Sequence, residues 1–197
     1  MKFLFDLGGV FFDWHPRHFY KSIFSSEKEM NYFLTYICND EWNIKQDAGN
    51  LIKDAENELI QKFPKYSKEI KMFYPNFRKM IRGTYQSSID QLLKLKSLNF
   101  LCYVLSNWSA ETFVDMKKDY PFLNRFDGLL ISGEHYLKKP DIEIFELAIS
   151  RFKLIPEKTV FIDDNLANIL AAKTLNFKTI HLTDPNLINE EIKKFIN

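Results

Sequence analysis

The amino-acid sequence predicts an α/β fold in which a doubly wound parallel sheet carries an inserted α-helical cap. After residue 83, short apolar runs that suit buried strands alternate with stretches that repeat apolar residues at helical spacing. Residues 14–82 show helical spacing alone, and they separate the first strand-like run from all the others. We therefore expect an α/β core domain of residues 1–13 and 84–197 and a helical cap domain of residues 14–83.

The first strand-like run, Phe3 to Phe5, leads directly into Asp6, Gly8 and Gly9. In an open parallel sheet, ligands bind beyond the carboxyl ends of the strands, so we expect Asp6 at the mouth of such a crevice. The two glycines can turn peptide N–H groups inward and form an anion-binding nest. A carboxylate beside a bound anion repels it unless a cation lies between them, so this stretch predicts a metal site.

The predicted cap contains about four amphipathic helices, which we expect to pack as a small bundle. Pro16 can begin the first helix, and Pro64 and Gly83 act as stop signals for the third and fourth. The apolar positions that define the four faces are Phe19, Ile23 and Phe24; Met30, Phe33, Leu34 and Ile37; Leu51, Ala55, Leu59, Ile60 and Phe63; and Ile70, Phe73, Phe77 and Ile81.

Helices and strands alternate through the rest of the predicted core. The predicted helices cover about residues 87–97, 110–118, 142–152, 166–175 and 187–196, and the predicted strands cover residues 100–105, 129–131, 160–162 and 178–182. Strands that alternate with helices in this way form parallel βαβ units, with helices on both faces of the sheet.

Polar side chains follow three of these later strands. Ser106 and Asn107 follow the second strand, Lys139 follows the third, and Asp163 and Asp164 end the fourth. Adjacent carboxylates suit a hard divalent cation bound by oxygen ligands, while a hydroxyl and an ammonium group suit phosphoryl oxygens. Each residue alone has a structural explanation, such as a helix cap. Their joint occurrence at the ends of strands of one sheet predicts a single site.

Four motifs in this order also carry a family resemblance. They are Phe5-Asp6-Leu7-Gly8-Gly9-Val10, Leu105-Ser106-Asn107, Lys139-Pro140 and Phe161-Ile162-Asp163-Asp164-Asn165. With them, the sequence resembles the haloacid dehalogenase-like (HAD) superfamily of hydrolases over nearly its whole length. The stretches 13–17 and 106–111 are similar to a bacterial subgroup that includes sugar-phosphate phosphatases. The resemblance implies a Rossmann-like core and a Mg²⁺-dependent phosphatase that acts on a small phosphorylated metabolite such as a sugar phosphate.

The resemblance implies catalytic roles for three residues. Asp6 is implied as the nucleophile that forms an aspartyl-phosphate, and Lys139 as the cation that neutralises charge between nucleophile and phosphate. Ser106 is implied as a ligand of the phosphoryl oxygens, together with backbone N–H groups near Gly9 and Asn107. The same likeness implies Mg²⁺ as the cofactor. Its ligands are implied as the Asp6 carboxylate, the Gly8 carbonyl and Asp164, with Asp163 beside or behind them.

Gly8 departs from the pattern of most phosphatases of the superfamily, which have a second aspartate there as general acid and base. Such help is worth roughly 10²- to 10⁴-fold in rate. Asp13 and His15 are the nearest substitutes, although a structural role is the simpler interpretation of both. There are two alternatives to a phosphatase. One is a 2-haloacid dehalogenase that uses Asp6 as the nucleophile without a metal. The other, which Gly8 favours, is a catalytically weak protein that binds a phosphorylated ligand.

Trp14, His15 and Trp108 are the residues we expect to contact substrate. Aromatic walls suit sugar or ring faces, which makes Trp14, His18, Tyr20, Trp42 and Trp108 candidates, although Tyr20 and Trp42 more simply pack the helical bundle. The formal net charge of +1 gives no sign of a nucleic-acid or membrane partner. Strand-like residues begin at Phe3, which leaves no room for a secretory leader, so we expect a cytoplasmic protein. Monomer and homodimer both remain open.

Overall fold

A computed structural model describes residues 1–196 as a five-stranded parallel sheet with helices on both of its faces, together with a two-stranded antiparallel ribbon. The strands are β1 (Lys2–Phe5), β2 (Phe12–Trp14), β3 (Ile81–Thr84), β4 (Leu101–Ser106), β5 (Gly128–Ile131), β6 (Thr159–Asp163) and β7 (Lys178–His181). The α-helices are α1 (Arg17–Tyr20), α2 (Glu27–Tyr36), α3 (Asp40–Asp47), α4 (Ile52–Lys62), α5 (Ser67–Ile70), α6 (Gln86–Ser97), α7 (Ala110–Phe113), α8 (Met116–Asp119), α9 (Ile142–Phe152), α10 (Leu166–Thr174) and α11 (Ile188–Ile196).

The strand order β5-β4-β1-β6-β7 places the first strand at the centre of the sheet. All four pairings in this sheet are parallel, and Phe5 is in register with Val104 on one side and with Ile162 on the other. The carboxyl ends of β1, β4 and β6 therefore lie side by side. Consequently the sheet brings Asp6, Ser106 and Asp163 to one edge.

Alternating side chains of β1 pack into two different apolar layers. Phe3 and Phe5 contribute to the layer that also contains buried residues of α6 and α11. Leu4 points to the opposite face, where the buried side chains come from α9 and α10. A strand that is buried on both faces is apolar at every position, which explains why β1 is a continuous apolar run in the sequence. The predicted doubly wound fold is confirmed.

The ribbon of β2 and β3 corrects the predicted end of the helical region. Residues 74–80 form a 3₁₀ helix that contains Pro75, and the chain then extends as β3 instead of continuing as a helix to Ile81. Gly83 is not a helix stop, because it pairs with Asp13 of β2. A local pattern of apolar spacing cannot show this pairing, since the two strands are almost seventy residues apart in the chain.

Two further elements differ from the prediction. Helix α3 was not predicted, because the face that it buries consists largely of polar residues. The predicted helix at residues 110–118 is divided into α7 and α8, since Asp115 between them has a left-handed backbone (φ 65°). Within the described part of the chain, no helix has both the length and the apolar composition that crossing a membrane demands.

Candidate active site

Three carboxylates and one ammonium group meet at the carboxyl edge of the sheet. Asp6 follows β1, and Asp163 and Asp164 lie at the end of β6. One carboxylate oxygen of each aspartate lies within 4.8 Å of the others. The Nζ atom of Lys139 lies 2.9 Å from Asp6 Oδ1 and 2.7 Å from Asp163 Oδ2. The residues that the sequence placed on separate strand ends therefore form one cluster.

Lys139 is buried, and both its backbone and its side-chain ammonium group are held by neighbouring residues. Its backbone N–H donates to Asn107 Oδ1 at 2.7 Å, and its carbonyl accepts from Asn107 Nδ2 at 2.9 Å. Burial alone would lower the pKa of Lys139, but the carboxylates of Asp163 and Asp6 outweigh it and raise that pKa above its usual value. The side chain is therefore a fixed positive charge, and the Asn107 side chain positions it.

Asp163 is fully occupied by groups of the protein. It accepts hydrogen bonds from the backbone N–H of Asn165 at 2.8 Å and from the side-chain amide of Asn168 at 3.0 and 3.1 Å, in addition to Lys139. Both carboxylate oxygens are thus used. This places Asp163 behind the cluster, where it orients Lys139.

Asp6 and Asp164 keep oxygen atoms that the protein does not satisfy. Asp6 Oδ1 lies close to Lys139 Nζ but at an angle that makes the contact an ion pair and no hydrogen bond. Burial raises the pKa of Asp6, although Lys139 opposes the shift. Asp164 is at the exposed rim, where partial burial and the charges of Asp6 and Asp163 raise its pKa to about 7.

The donor set of this cluster fits a divalent cation. Three carboxylates face the single positive charge of Lys139, so the ionised cluster carries two negative charges in excess. All the available donors are oxygen atoms, which hard cations such as Mg²⁺ prefer. Burial is the main cause of the raised pKa values of Asp6 and Asp164, and the charges of neighbouring carboxylates add to it. Gly8 lines the same cavity as Asp6, and its carbonyl accepts from the Val10 N–H at 2.7 Å.

Gly9 has a different function from the one expected. Its N–H donates to the Phe12 carbonyl at 3.0 Å, so this group is not free to bind an anion. Gly9 has a left-handed backbone (φ 64°), and a Cβ atom there would overlap the Asp164 carboxylate. The glycine therefore makes room for Asp164. Near the cluster, the backbone N–H groups of Leu7, Gly8 and Asn107 have no backbone acceptor within the described chain.

Ser106 is buried at the end of β4, and its side chain opposes the rise in the pKa of Asp6. In front of Asp6 is a cavity of about 70 Å³. It is lined by Asp6, Gly8, Trp14, Asn43, Asp47, Phe77, Asn107 and Trp108. Within the described chain, the indole N–H groups of Trp14 and Trp108 are buried and have no acceptor. The two tryptophans that were expected to contact substrate thus lie at the cavity.

His15 and Asp13 do not lie at the cavity. His15 is exposed, and its Nδ1 atom accepts from the backbone N–H of Arg17. Asp13 is held by His18 Nε2 at 3.0 Å and by Arg82 Nε at 2.6 Å, and hydrogen bonds from His18 and Arg82 outweigh burial and lower the pKa of Asp13. A carboxyl with a lowered pKa is a poor proton donor. The structure therefore brings neither substitute for the missing acid to Asp6.

Asn43, Asp47 and Phe77 are cavity residues that were not predicted as site residues. Asn43 and Asp47 lie four residues apart on α3 and share one face of it with the buried Gln46. A search for apolar residues at helical spacing does not detect such a face. The signal that the sequence does contain is three amide and carboxyl side chains at i, i+3 and i+4, where a helix next to a core usually has apolar residues.

Comparison with known proteins identifies a family match and several similar proteins. Residues 4–182 match the family model described as haloacid dehalogenase-like hydrolase. The sesquiterpene phosphatase astK of Aspergillus oryzae is 24% identical over 193 residues, which cover 98% of this chain and 95% of that protein. The (S)-2-haloacid dehalogenase 4A of Burkholderia cepacia is 25% identical over 100 residues, covering 51% of this chain and 43% of that protein.

Solved structures share the fold. The HAD family enzyme BT-2542 of Bacteroides thetaiotaomicron, in complex with magnesium and inorganic phosphate, has a TM-score of 0.68 and 23% identity, covering 91% of this chain and 92% of that one. The HAD-hydrolase YfnB of Bacillus subtilis, bound to magnesium, has a TM-score of 0.75 and 15% identity, covering 100% and 98%.

Proposed function

Because the chain belongs to the haloacid dehalogenase-like hydrolase family, we propose that this hydrolase is a Mg²⁺-dependent phosphatase that hydrolyses a small phosphorylated metabolite. The observation that carries the proposal is the cluster of Asp6, Asp163 and Asp164 around Lys139, two positive charges short of neutrality. A full-length relative named as a phosphatase and a structural neighbour that holds magnesium and phosphate support it.

In this proposal Mg²⁺ is held by the carboxylates of Asp6 and Asp164 and by the Gly8 carbonyl, with Asp163 behind them. The cation supplies the positive charge that keeps both carboxylates ionised and that a phosphate dianion needs beside them. Asp163 contributes by orienting Lys139.

Asp6 acts as the nucleophile. Its carboxylate oxygen attacks phosphorus, the ester P–O bond breaks, and water then hydrolyses the aspartyl-phosphate to regenerate Asp6. Lys139, Ser106 and the free N–H groups of Gly8 and Asn107 stabilise the phosphoryl oxygens. Phosphoryl transfer depends mainly on positioning and charge stabilisation, and the fixed ammonium and amide groups can provide both.

We further propose that residues 14–83 act as a cap on a core of residues 1–13 and 84–197. The β2–β3 ribbon carries the chain out of the core and back, and the helices between these strands contribute Asn43, Asp47 and Phe77 to the cavity. The cavity of about 70 Å³ in front of Asp6 has room for only a few water molecules. This favours a small substrate.

The experiment is an assay of inorganic phosphate release with Mg²⁺, using 4-nitrophenyl phosphate, a panel of sugar phosphates and a sesquiterpenyl phosphate. We expect turnover of one or more small esters, which ceases when the metal is chelated. Asp6→Asn should abolish turnover without unfolding the protein, since the two side chains have the same size. Asp90→Asn, which changes an exposed carboxylate on α6, is the matched control and should retain full activity.

Two outcomes would contradict the proposal. If Asp6→Asn retained phosphate release, the nucleophile would have to be another group. If the protein released halide from a 2-haloacid and this activity survived a chelator, the dehalogenase interpretation would replace the phosphatase. Preferred turnover of the sesquiterpenyl phosphate would keep the reaction but assign a larger substrate.

A further inference from the structure

Asp47 is a buried carboxyl group that the reaction described above does not use. It lies at the end of α3 and lines the same cavity as Asp6. Of the residues that line this cavity, only Asp6 and Asp47 carry a carboxyl group. Within the described chain Asp47 forms no salt bridge, whereas Asp6 contacts Lys139. The cavity thus contains two carboxyl groups in different surroundings. Asp6 lies beside the ammonium group of Lys139, whereas Asp47 has no cation beside it in the described chain.

The side chain of Asp47 is held by a hydrogen-bonded network of buried groups. Asn43 Nδ2 donates to Asp47 Oδ2 at 3.1 Å. Tyr74 Oη in turn lies 3.2 Å from Asn43 Oδ1 and 2.9 Å from Gln46 Oε1. A network of this kind restricts the rotamer of the carboxyl group and so defines where it can place a proton.

The end of α3 is also hydrogen-bonded to the loop after β5, which holds Asp47 next to the core. The Ser132 hydroxyl donates to the Asp47 carbonyl at 2.5 Å and accepts from the backbone N–H of Trp108 at 2.9 Å. Gly49, just after the helix, has φ 95°, and a Cβ atom there would overlap the Tyr136 ring. The chain therefore approaches the core closely at Gly49. The bond from Ser132 and this close approach together position Asp47.

The electrostatic surroundings of Asp47 suit a proton donor at neutral pH. Burial raises the pKa of Asp47 to about 7, an effect that the Ser109 backbone amide opposes and that the charges of Asp6 and Asp40 reinforce. A general acid works best when its pKa is near the working pH, because it then holds a proton and can also release it. Burial also raises the pKa of Asp6, but Lys139 opposes that shift, and within the described chain Asp47 has no such cation beside it.

We propose that Asp47 is the general acid and base of the phosphatase reaction, delivering a proton to the leaving oxygen from the helical side of the cavity. This inference rests on the proposed function. While Asp6 attacks phosphorus and the ester P–O bond breaks, the Asp47 carboxyl gives its proton to the departing oxygen, which leaves as an alcohol. The Asp47 carboxylate then takes a proton from the water that attacks the aspartyl-phosphate, and phosphate leaves as Asp6 regains its carboxylate.

The proposal also defines a substrate class. An alkoxide is a poor leaving group and needs a proton as it departs, whereas a nitrophenolate departs without one. An enzyme that positions a buried proton donor over the leaving group is therefore suited to phosphate esters of aliphatic alcohols, such as sugar or polyol phosphates. If Asp47 supplies the proton, this class of substrate needs no carboxyl group at the position of Gly8.

The test compares two leaving groups in Asp47→Asn under single-turnover conditions with Mg²⁺. The probes are glycerol 3-phosphate and 4-nitrophenyl phosphate, and the aspartyl-phosphate is trapped by acid quench. We expect transfer from glycerol phosphate to fall about 100-fold or more and transfer from nitrophenyl phosphate to fall less than about tenfold. The ratio of the two rates does not depend on the folded fraction. Asp54→Asn, an exposed carboxylate on α4, should leave both rates unchanged.

An equal loss with both probes would show that Asp47 has only a structural role, and no loss with either would show that it has none; each would overturn the inference while leaving the proposed function intact. If the unmodified protein releases phosphate from neither probe nor from any member of the panel, the proposed function fails, and the role of Asp47 fails with it.

Discussion

Gly8 and Gly9, adjacent in the loop after β1, are glycines for different physical reasons. Gly9 has a left-handed backbone, and its missing Cβ leaves the space that the Asp164 carboxylate fills. A Cβ atom on Gly8 would meet nothing within 4 Å. At the scale of single residues, the metal site that we propose therefore depends on the absence of one side chain as much as on the presence of two carboxylates.

Gly9→Ala should weaken Mg²⁺ binding, because the added methyl group displaces Asp164. The left-handed backbone should also cost about 1–2 kcal/mol of folding free energy for an L-residue. Displaced partners of a metal site typically cost about 10- to 100-fold in affinity. Titration calorimetry with Mg²⁺ and urea denaturation measure the two effects. The control is Gly8→Ala, for which we expect a much smaller change; similar effects at both positions would contradict the steric explanation.

At the scale of elements, the cavity is formed where α3 meets the loops after β4 and β5. This contact includes polar groups: the Ser132 hydroxyl joins the Asp47 carbonyl to the backbone N–H of Trp108. Close by, Glu111 Oε1 of α7 accepts from the backbone N–H of Ile52, which begins α4, at 2.9 Å. Hydrogen bonds have definite directions, whereas apolar contacts can slide. These contacts therefore determine the position of the helix more sharply than packing alone would.

Ser132→Ala should lower the free energy of unfolding, because it leaves the backbone N–H of Trp108 and the Asp47 carbonyl without their shared partner. The expected cost is about 1–3 kcal/mol, as for other buried polar groups that lose a partner. Urea denaturation measures it. Ser97→Ala removes an exposed hydroxyl that bonds Lys94 O within the end of α6, and it should cost less than about 0.5 kcal/mol. Equal costs would mean that Ser132 does not hold the two parts together.

At the scale of the whole molecule, the fold concentrates negative charge while the chain as a whole is nearly neutral. The formal net charge is +1, but the carboxyl edge of the sheet gathers Asp6, Asp163 and Asp164 around Lys139 alone. A group that binds there in the folded state and not in the unfolded chain must stabilise the fold. Binding of the proposed cation at this edge is thus linked to the stability of the protein.

Mg²⁺ should raise the melting temperature, and this effect should shrink as the pH falls below 7. The metal-free pKa of Asp164 is about 7, so below that pH the cation must displace a proton. At a concentration 100 times the dissociation constant, stabilisation is about 2.7 kcal/mol. It should fall by up to about 1.4 kcal/mol for each pH unit below 7 and level off above pH 8.

Thermal melts with and without Mg²⁺ between pH 6 and pH 8 measure this effect. Asp164→Asn should abolish it, and Asp141→Asn, which changes an exposed carboxylate paired with Lys138, should leave it unchanged. Stabilisation that is independent of pH, or that survives in Asp164→Asn, would show that the cation binds elsewhere.

The sequence by itself determined the five strands of the parallel sheet, their order along the chain and the polar residues that follow four of them. These are local properties: a strand that is buried on both faces must be apolar, and the residue after it must be compatible with the open edge of a sheet. Asp6, Ser106, Lys139 and Asp163 could therefore be placed at one edge from spacing alone, and the structure brings them together.

Only the tertiary structure decided which partners these groups have. Three features join residues that are far apart in the chain: the pairing of Asp13 with Arg82, the contact of Lys139 with two carboxylates, and the cavity that Asp47 and Asp6 both line. A carboxyl group on a helix gives no local sign of the charges that will surround it after folding. Burial and neighbouring charges set its pKa, and both arise only when the distant parts of the chain pack together.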